Sequence, residues 1–195
     1  MFSSHIAVPD IVLAIYRENR TVFRLKDIAI LTGEVDFQSL NKKLNYYVRK
    51  GKLGNPRKGI YTKPGYNREE LACSIFTPSY VSLEYVLQKA GIIFQFDPRI
   101  TALSYLNRSV EIEGQSYAFR KIKPVTLVNT SGIIRQPDHI NIASPERAFL
   151  DLLYLDKDYY FDNINPLKID LIMRLLPAYA SKALTTRIKK LFINV

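Results

Sequence analysis

The 195 residues carry 28 lysines and arginines against 18 aspartates and glutamates, a net charge of +10, and 47% of them are apolar, which fits one large or two small globular domains rather than a disordered tail. A single cysteine, Cys73, excludes an intramolecular disulfide and a cysteine metal cluster, and His5 and His139, the only histidines, read as surface or packing residues rather than metal ligands. No apolar run approaches the length of a membrane span, and "MFSSHIAVPD" lacks a charged-then-apolar leader pattern, so a cytoplasmic protein is expected.

The charge is uneven. Residues 1–66 hold twelve Lys/Arg against five Asp/Glu, whereas 67–195 hold sixteen against thirteen. Such asymmetry points to a module in the first part that meets nucleic acid or another polyanion. In chain order, Ile11, Ala14 and Ile15 recur at helical spacing, so a helix is predicted from Pro9 to Arg20. An extended piece around Val22 and Phe23 precedes a second helix with Ile28, Ala29 and Leu31 inward, closed at Thr32-Gly33. Asp36 is placed to cap a third helix over about 37–50.

That third helix is the informative one. Phe37, Leu40, Leu44, Tyr47 and Val48 fall on one arc at about 100° per residue. The opposite side collects Gln38, Ser39, Lys42, Lys43, Asn45, Tyr46, Arg49 and Lys50, cations for phosphates and polar groups for base edges. Gly51 ends the helix. Two short strands are expected next, Lys52-Leu53 and Gly59–Thr62, joined by a turn bearing Arg57 and Lys58. Residues 41–63 contain eight Lys/Arg and no acid, and a one-sign block with tyrosines and a turn is read as a DNA-contacting surface. The expectation is a winged helix-turn-helix over 1–66; a solvated basic face on a small helical domain is the alternative.

A boundary is expected at "KPGYNREE", residues 63–70. Beyond it, "SYVSLEYVLQKAGII" reads as a helix using Val81, Tyr85 and Val86, ended by Gly91. In "SVEIEGQSYAF", Val110 and Ile112 alternate with Glu111 and Glu113, and Gly114-Gln115 is read as the turn of a hairpin. "PVTLV" and "HINIA" read as further strands. "SPERAFLDLLYL" opens a helix with Ser144 as cap, Pro145 at the first position and Glu146 at the positive dipole end. Two more helices are expected at 166–176 and 180–193. The fold class expected is α+β, a winged helix-turn-helix (1–66) followed by an α+β domain (67–195).

No phosphate loop of the P-loop or dinucleotide kind and no nucleophile elbow is present. Glu111, Glu113 and Lys121 come nearest to a nuclease set, yet alternation puts both glutamates on the polar face of a hairpin, where solvated charges are the ordinary explanation. No cofactor, no metal site and no catalytic activity are expected.

The block "RKGKLGNPRKGIYTKPGYN", followed by "SLEYVLQKAGII" and "IASPERAFLDLLYL" in the same order, resembles the AbiEi antitoxins of bacterial type IV toxin–antitoxin systems, also described as predicted transcriptional regulators of viral defence loci. "SPERAFLDLL" is the most specific part. The resemblance implies that the winged helix binds inverted repeats upstream of its own operon and represses it, with cooperativity between copies. It implies that the C-terminal domain counters a nucleotidyltransferase-like toxin without a stable complex. Carried onto this chain, Lys42, Lys43, Asn45, Tyr46 and Arg49 fall on the recognition helix, with Arg57 and Lys58 on the wing; Gln38, Ser39, Lys50 and Lys52 complete the candidate DNA-contacting set. Ser144, Glu146, Arg147 and Asp151 match the C-terminal motif; as caps and an i,i+4 pair worth a few tenths of a kcal/mol if exposed, they also have a purely structural explanation. Two other readings stay open: a ligand-sensing repressor with no toxin, its aromatic strands lining a pocket, and a DNA-targeted nuclease-like enzyme.

Overall fold

Asp10 caps the first helix by accepting from Val12 N and Leu13 N, so α1 (Ile11–Arg17) starts where the first free N–H groups need an acceptor. The computed structural model describes residues 10–136 and 138–193; Pro9, His5 and the rest of the first nine residues lie outside them. After α1 come β1 (Val22–Arg24), α2 (Leu25–Thr32), α3 (Phe37–Arg49), β2 (Gly54–Arg57) and β3 (Ile60–Thr62). Gly33, at φ 69°, closes α2, and Asp36 caps α3 through Gln38 N and Ser39 N, both as the residue types predict.

The hairpin after α3 differs from the expected one. Gly51, at φ 68°, turns the chain left-handed, and Lys52 N donates to Tyr47 O at 3.0 Å. That bond satisfies the open end of α3, so Lys52 and Leu53 are not a strand but the helix stop, with Leu53 buried. The strand begins at Gly54, and the tip is Lys58-Gly59, with Arg57 inside β2. A side chain at Gly54 would bring its Cβ to 2.5 Å from Thr62 Oγ1 across the pair, which is why glycine stands there.

β1, β3 and β2 form an antiparallel sheet in that order, with Phe23 opposite Tyr61 and Arg24 opposite Ile60. Alternation sends the two faces to different cores. Phe23 and Tyr61 join Ile11, Ile15, Ile28, Leu40 and Leu44 beneath the helices. Val22 and Ile60 join the larger core of the second part.

The expected boundary segment opens a helix instead. Asn67 caps α4 (Arg68–Ile75), an element that hydrophobic spacing does not announce. The second sheet has six strands in the order β6 (Arg108–Ile112), β7 (Gln115–Lys121), β5 (Ile100–Ser104), β4 (Ser79–Val81), β9 (Asn141–Ala143) and β8 (Ile133–Arg135). β7/β5 and β4/β9 run parallel and the other pairs antiparallel. Val81 therefore lies in a strand, not in the helix expected over it; α5 is only Glu84–Lys89. The hairpin turn is Glu113-Gly114, one residue earlier than expected, with φ of 50° and 74° as a two-residue turn with both centres left-handed requires. "PVTLV" is a short helix, α6 (Pro124–Leu127), because Pro124 stands at its first position, where no N–H is needed. α7 (Pro145–Leu155), α8 (Ile169–Leu175), a 3-10 turn (Leu176–Tyr179) and α9 (Lys182–Ile193) complete a mixed α+β chain. No described helix is long and apolar enough to cross a membrane.

Candidate nucleic-acid interface

α3 buries Leu40 and Leu44 completely and turns its polar side outward. Gln38, Lys42, Asn45, Tyr46, Arg49 and Lys50 are exposed, Ser39 is half-buried, and Lys52 and Lys58 are exposed beyond the helix and at the hairpin tip. Gln38, Lys42, Asn45 and Arg49 follow one another at i, i+4, i+7 and i+11, one continuous stripe. Phe37, expected inward, is 50% exposed, because it sits at the first turn of α3 beyond the reach of the small core.

Two of the expected cations are engaged within the chain. Lys43 Nζ lies 2.5 Å from Glu34 Oε2, supplied by the loop before α3. Arg57 is half-buried, its guanidinium 5.2 Å from the ring centre of Phe76, just past α4. Both have an internal partner, whereas Lys42, Arg49 and Lys58 have no ion pair among the described residues. Lys50 stands over the Tyr46 ring at 5.8 Å and Lys52 over Tyr47 at 5.9 Å, which orients both stems along the end of α3. Asn41 accepts from Tyr61 Oη at 2.5 Å, tying the middle of α3 to β3.

The sheet carrying the hairpin is clamped from below. Glu70 of α4 is 1% exposed; its Oε2 accepts from Thr21 N at 2.8 Å and Thr21 Oγ1 at 2.6 Å, and its Oε1 from Val22 N at 2.9 Å. Arg24 reaches the same helix from above, donating through Nε and Nη2 to Ser74 O at 3.0 and 2.6 Å. Neither Glu70 nor Glu34 carries a signal in the sequence, since an acid beside a helix start is explained by the dipole alone.

The C-terminal motif is a buried polar cluster. Ser144 Oγ caps α7 by accepting from Arg147 N at 3.2 Å. Glu146, at the positive end of α7 as expected, is also buried and accepts from Lys168 N at 3.3 Å, holding the entry to α8. Arg147 and Asp151 form the i,i+4 pair that their spacing allows, but both are 0% exposed, because α7 is buried over most of its length. Asp151 accepts from Arg147 Nε at 3.2 Å, Tyr179 Oη at 2.6 Å, Ser82 Oγ at 2.8 Å and Tyr80 Oη at 3.1 Å. Arg147 also donates to Thr126 O at 2.8 Å, Ser131 O at 2.9 Å and Tyr80 Oη at 3.0 Å. Burial pushes the Asp151 carboxyl up, with the guanidinium and hydroxyls pulling the other way, and burial likewise lifts Tyr80 and Tyr179 far above the ordinary phenol range. Gly132 packs directly on this pair: an added Cβ would stand 3.0 Å from Arg147 Cβ. The cluster joins β4, α6, α7 and the 3-10 turn, and its Tyr80, Arg147, Asp151 and Tyr179 side chains are all buried.

The carboxylates considered for metal chemistry do not converge. Glu111 pairs across from Ser116 on β6, and Lys121 ends β7 five residues further on, about 17 Å along the strand. Glu113 accepts from Tyr66 Oη at 2.9 Å. Among the described residues no group of three metal-ligating side chains comes together. His139 is exposed at the end of a turn. A scan against protein-family models finds no match to this chain, and a search of curated proteins finds none either.

Proposed function

We propose that this chain is a DNA-binding repressor and antitoxin: α2, α3 and the β2–β3 hairpin act as a winged helix-turn-helix on double-stranded DNA, and the rest of the chain counters a toxin of the nucleotidyltransferase kind. The observation that carries the DNA half is the exposed stripe Gln38–Lys42–Asn45–Arg49 on a helix whose opposite side is core. An α-helix fits the major groove, and this one offers an amide pair and a guanidinium for base edges with lysines for phosphates. Lys58, exposed at the hairpin tip, would supply a backbone contact in this reading. Two protomers on an inverted repeat are the expected arrangement. The antitoxin half is supported by the ordered resemblance of the second part to the AbiEi antitoxins, "SPERAFLDLL" above all. It calls on neither a cofactor nor a catalytic group, and the cell cytoplasm is the compartment it implies.

The test has two arms on the full-length chain. Anisotropy with a duplex from immediately upstream of its own reading frame, over a salt series, should give a log–log slope of about 3 per protomer, since Lys42, Arg49 and Lys58 have neither an ion pair nor a ring partner among the described residues and each neutralised phosphate contributes about 0.9. A slope near one removes this surface from the reading. In the second arm, the adjacent gene is expressed alone, with the wild-type chain, and with Lys42→Glu/Arg49→Glu. Toxicity relieved equally by both forms supports an antitoxic role separate from repression; a harmless neighbour, or no rescue, sinks the antitoxin half.

A further inference from the structure

Residues 171–193 hold five lysines and arginines and no aspartate or glutamate, a second acid-free stretch far from α3 in the chain. They form most of α8 (whose first turn, Ile169-Asp170, carries the one acid of these helices), the 3-10 turn and α9, and the two helices leave a groove of about 790 Å³ between them. α9 turns Leu184 and Ile188 into the core, and an adjacent stripe runs along the groove from Lys182 to Lys189. The facing wall is apolar: Met173 and Pro177 are exposed there above a buried Leu176. Ile169, one turn before Met173 on α8, is also 47% exposed. Lys182 and Lys189 stand two turns apart, about 10 Å along the axis, and neither has an ion pair among the described residues.

We propose that this groove docks an acidic amphipathic helix of a partner protein. The partner's apolar residues, at three- and four-residue spacing, lie on Met173, Leu176 and Pro177, and two of its carboxylates, about two turns apart, face Lys182 and Lys189. Three features select that occupant. Both walls are helices whose backbone groups are already bonded internally, so the groove has no strand edge to extend, and helix-in-groove packing is the mode it supports. The residues lining the groove include two lysines and no acid, Asp170 standing one turn before Met173 outside the lining, so a complementary partner is steered in and a basic one repelled. The groove is open along its length; a small amphiphile there would keep much of its surface in water, whereas enclosed sites bury most of theirs. The surface uses none of the α3 residues and stands whether or not they meet DNA.

The probe is a fluorescein-labelled helical peptide of about 18 residues, five turns long, with leucines on one face and glutamates flanking them. Its controls are a scrambled sequence of the same composition and a version with lysine for glutamate. Titrated with the full-length chain, the amphipathic acidic peptide should bind saturably and about ten-fold tighter than either control. Lys182→Glu/Lys189→Glu and, separately, Met173→Glu should each lose about ten-fold, while a thermal melt shows the variants still folded. No binding, or equal binding of the scrambled peptide, overturns the proposal. It is also overturned if a DNA duplex displaces the peptide and the lysine variant loses DNA affinity, which makes this a nucleic-acid surface. Self-association of the wild type that the lysine variant abolishes overturns it as well, because the occupant is then a second copy of this chain.

Discussion

A guanidinium and a carboxylate taken out of water each cost several kcal/mol unless their protons and lone pairs are met. At Arg147 and Asp151 they are met, by three hydroxyls and two backbone carbonyls as well as by each other. Asp151→Ala leaves the guanidinium buried without its counter-charge and is expected to cost about 3–5 kcal/mol, read as a lower urea midpoint; an unchanged midpoint removes the cluster from the account of stability. Cys73 is the complementary case, a half-buried residue whose thiol makes one weak hydrogen bond. Its thiol donates to Asn141 O at 3.5 Å, and burial raises it from 9.0 to about 11. With the folded-state value above the unfolded one, its contribution is whole below pH 9 and is lost as pH rises towards 11. A thiol reagent at pH 8 should therefore modify the folded chain much more slowly than the chain in urea; equally fast labelling without urea contradicts the raised thiol.

α3 shows how far a pattern carries and where it stops. Its cap, its buried leucines and its exposed stripe follow from residue type and spacing, all local properties. The engagement of Lys43 with Glu34 and of Arg57 with Phe76 does not, because both partners are set by tertiary folding. The same limit explains β4. "SYVS" reads as helix beside "LEYVLQ", but pairing with β5 and β9 on both sides overrides that preference. β5, α4 and β8 escape a reading by spacing for the same reason: each is short, and its neighbours, through burial for β5 and α4 and through pairing with β9 for β8, make it regular. The ion pair at Lys43 has a measurable consequence. Glu34→Gln frees the lysine, so the salt slope of DNA binding should rise by about 0.9, one further phosphate contact. No change in slope means that Lys43 does not face the backbone of DNA.

At the scale of the whole molecule, the division that charge suggests between 1–66 and 67–195 cuts through a shared core, although each sheet lies wholly on one side of it. Val22 and Ile60 are packed in the larger core, and Glu70 holds the start of β1. A fragment ending at residue 66 exposes those two side chains, which at about 1.5–3 kcal/mol each removes about 3–6 kcal/mol from a domain small enough to be marginal already. Circular dichroism of that fragment should show a much lower melting temperature than the full chain, or none; a melt matching the full chain would mean that the first part needs nothing from the second. The charge asymmetry is legible because it is a sum along the chain, while the welding of the two parts is not, since it depends on which face of β1 each residue takes. The Glu70 clamp also bears on inheritance. A crossover between genes at the linker would separate a carboxylate from the three groups that it binds, so exchange of the N-terminal module among such proteins is expected to carry α4 along, with breakpoints falling after Phe76 rather than at Pro64-Gly65.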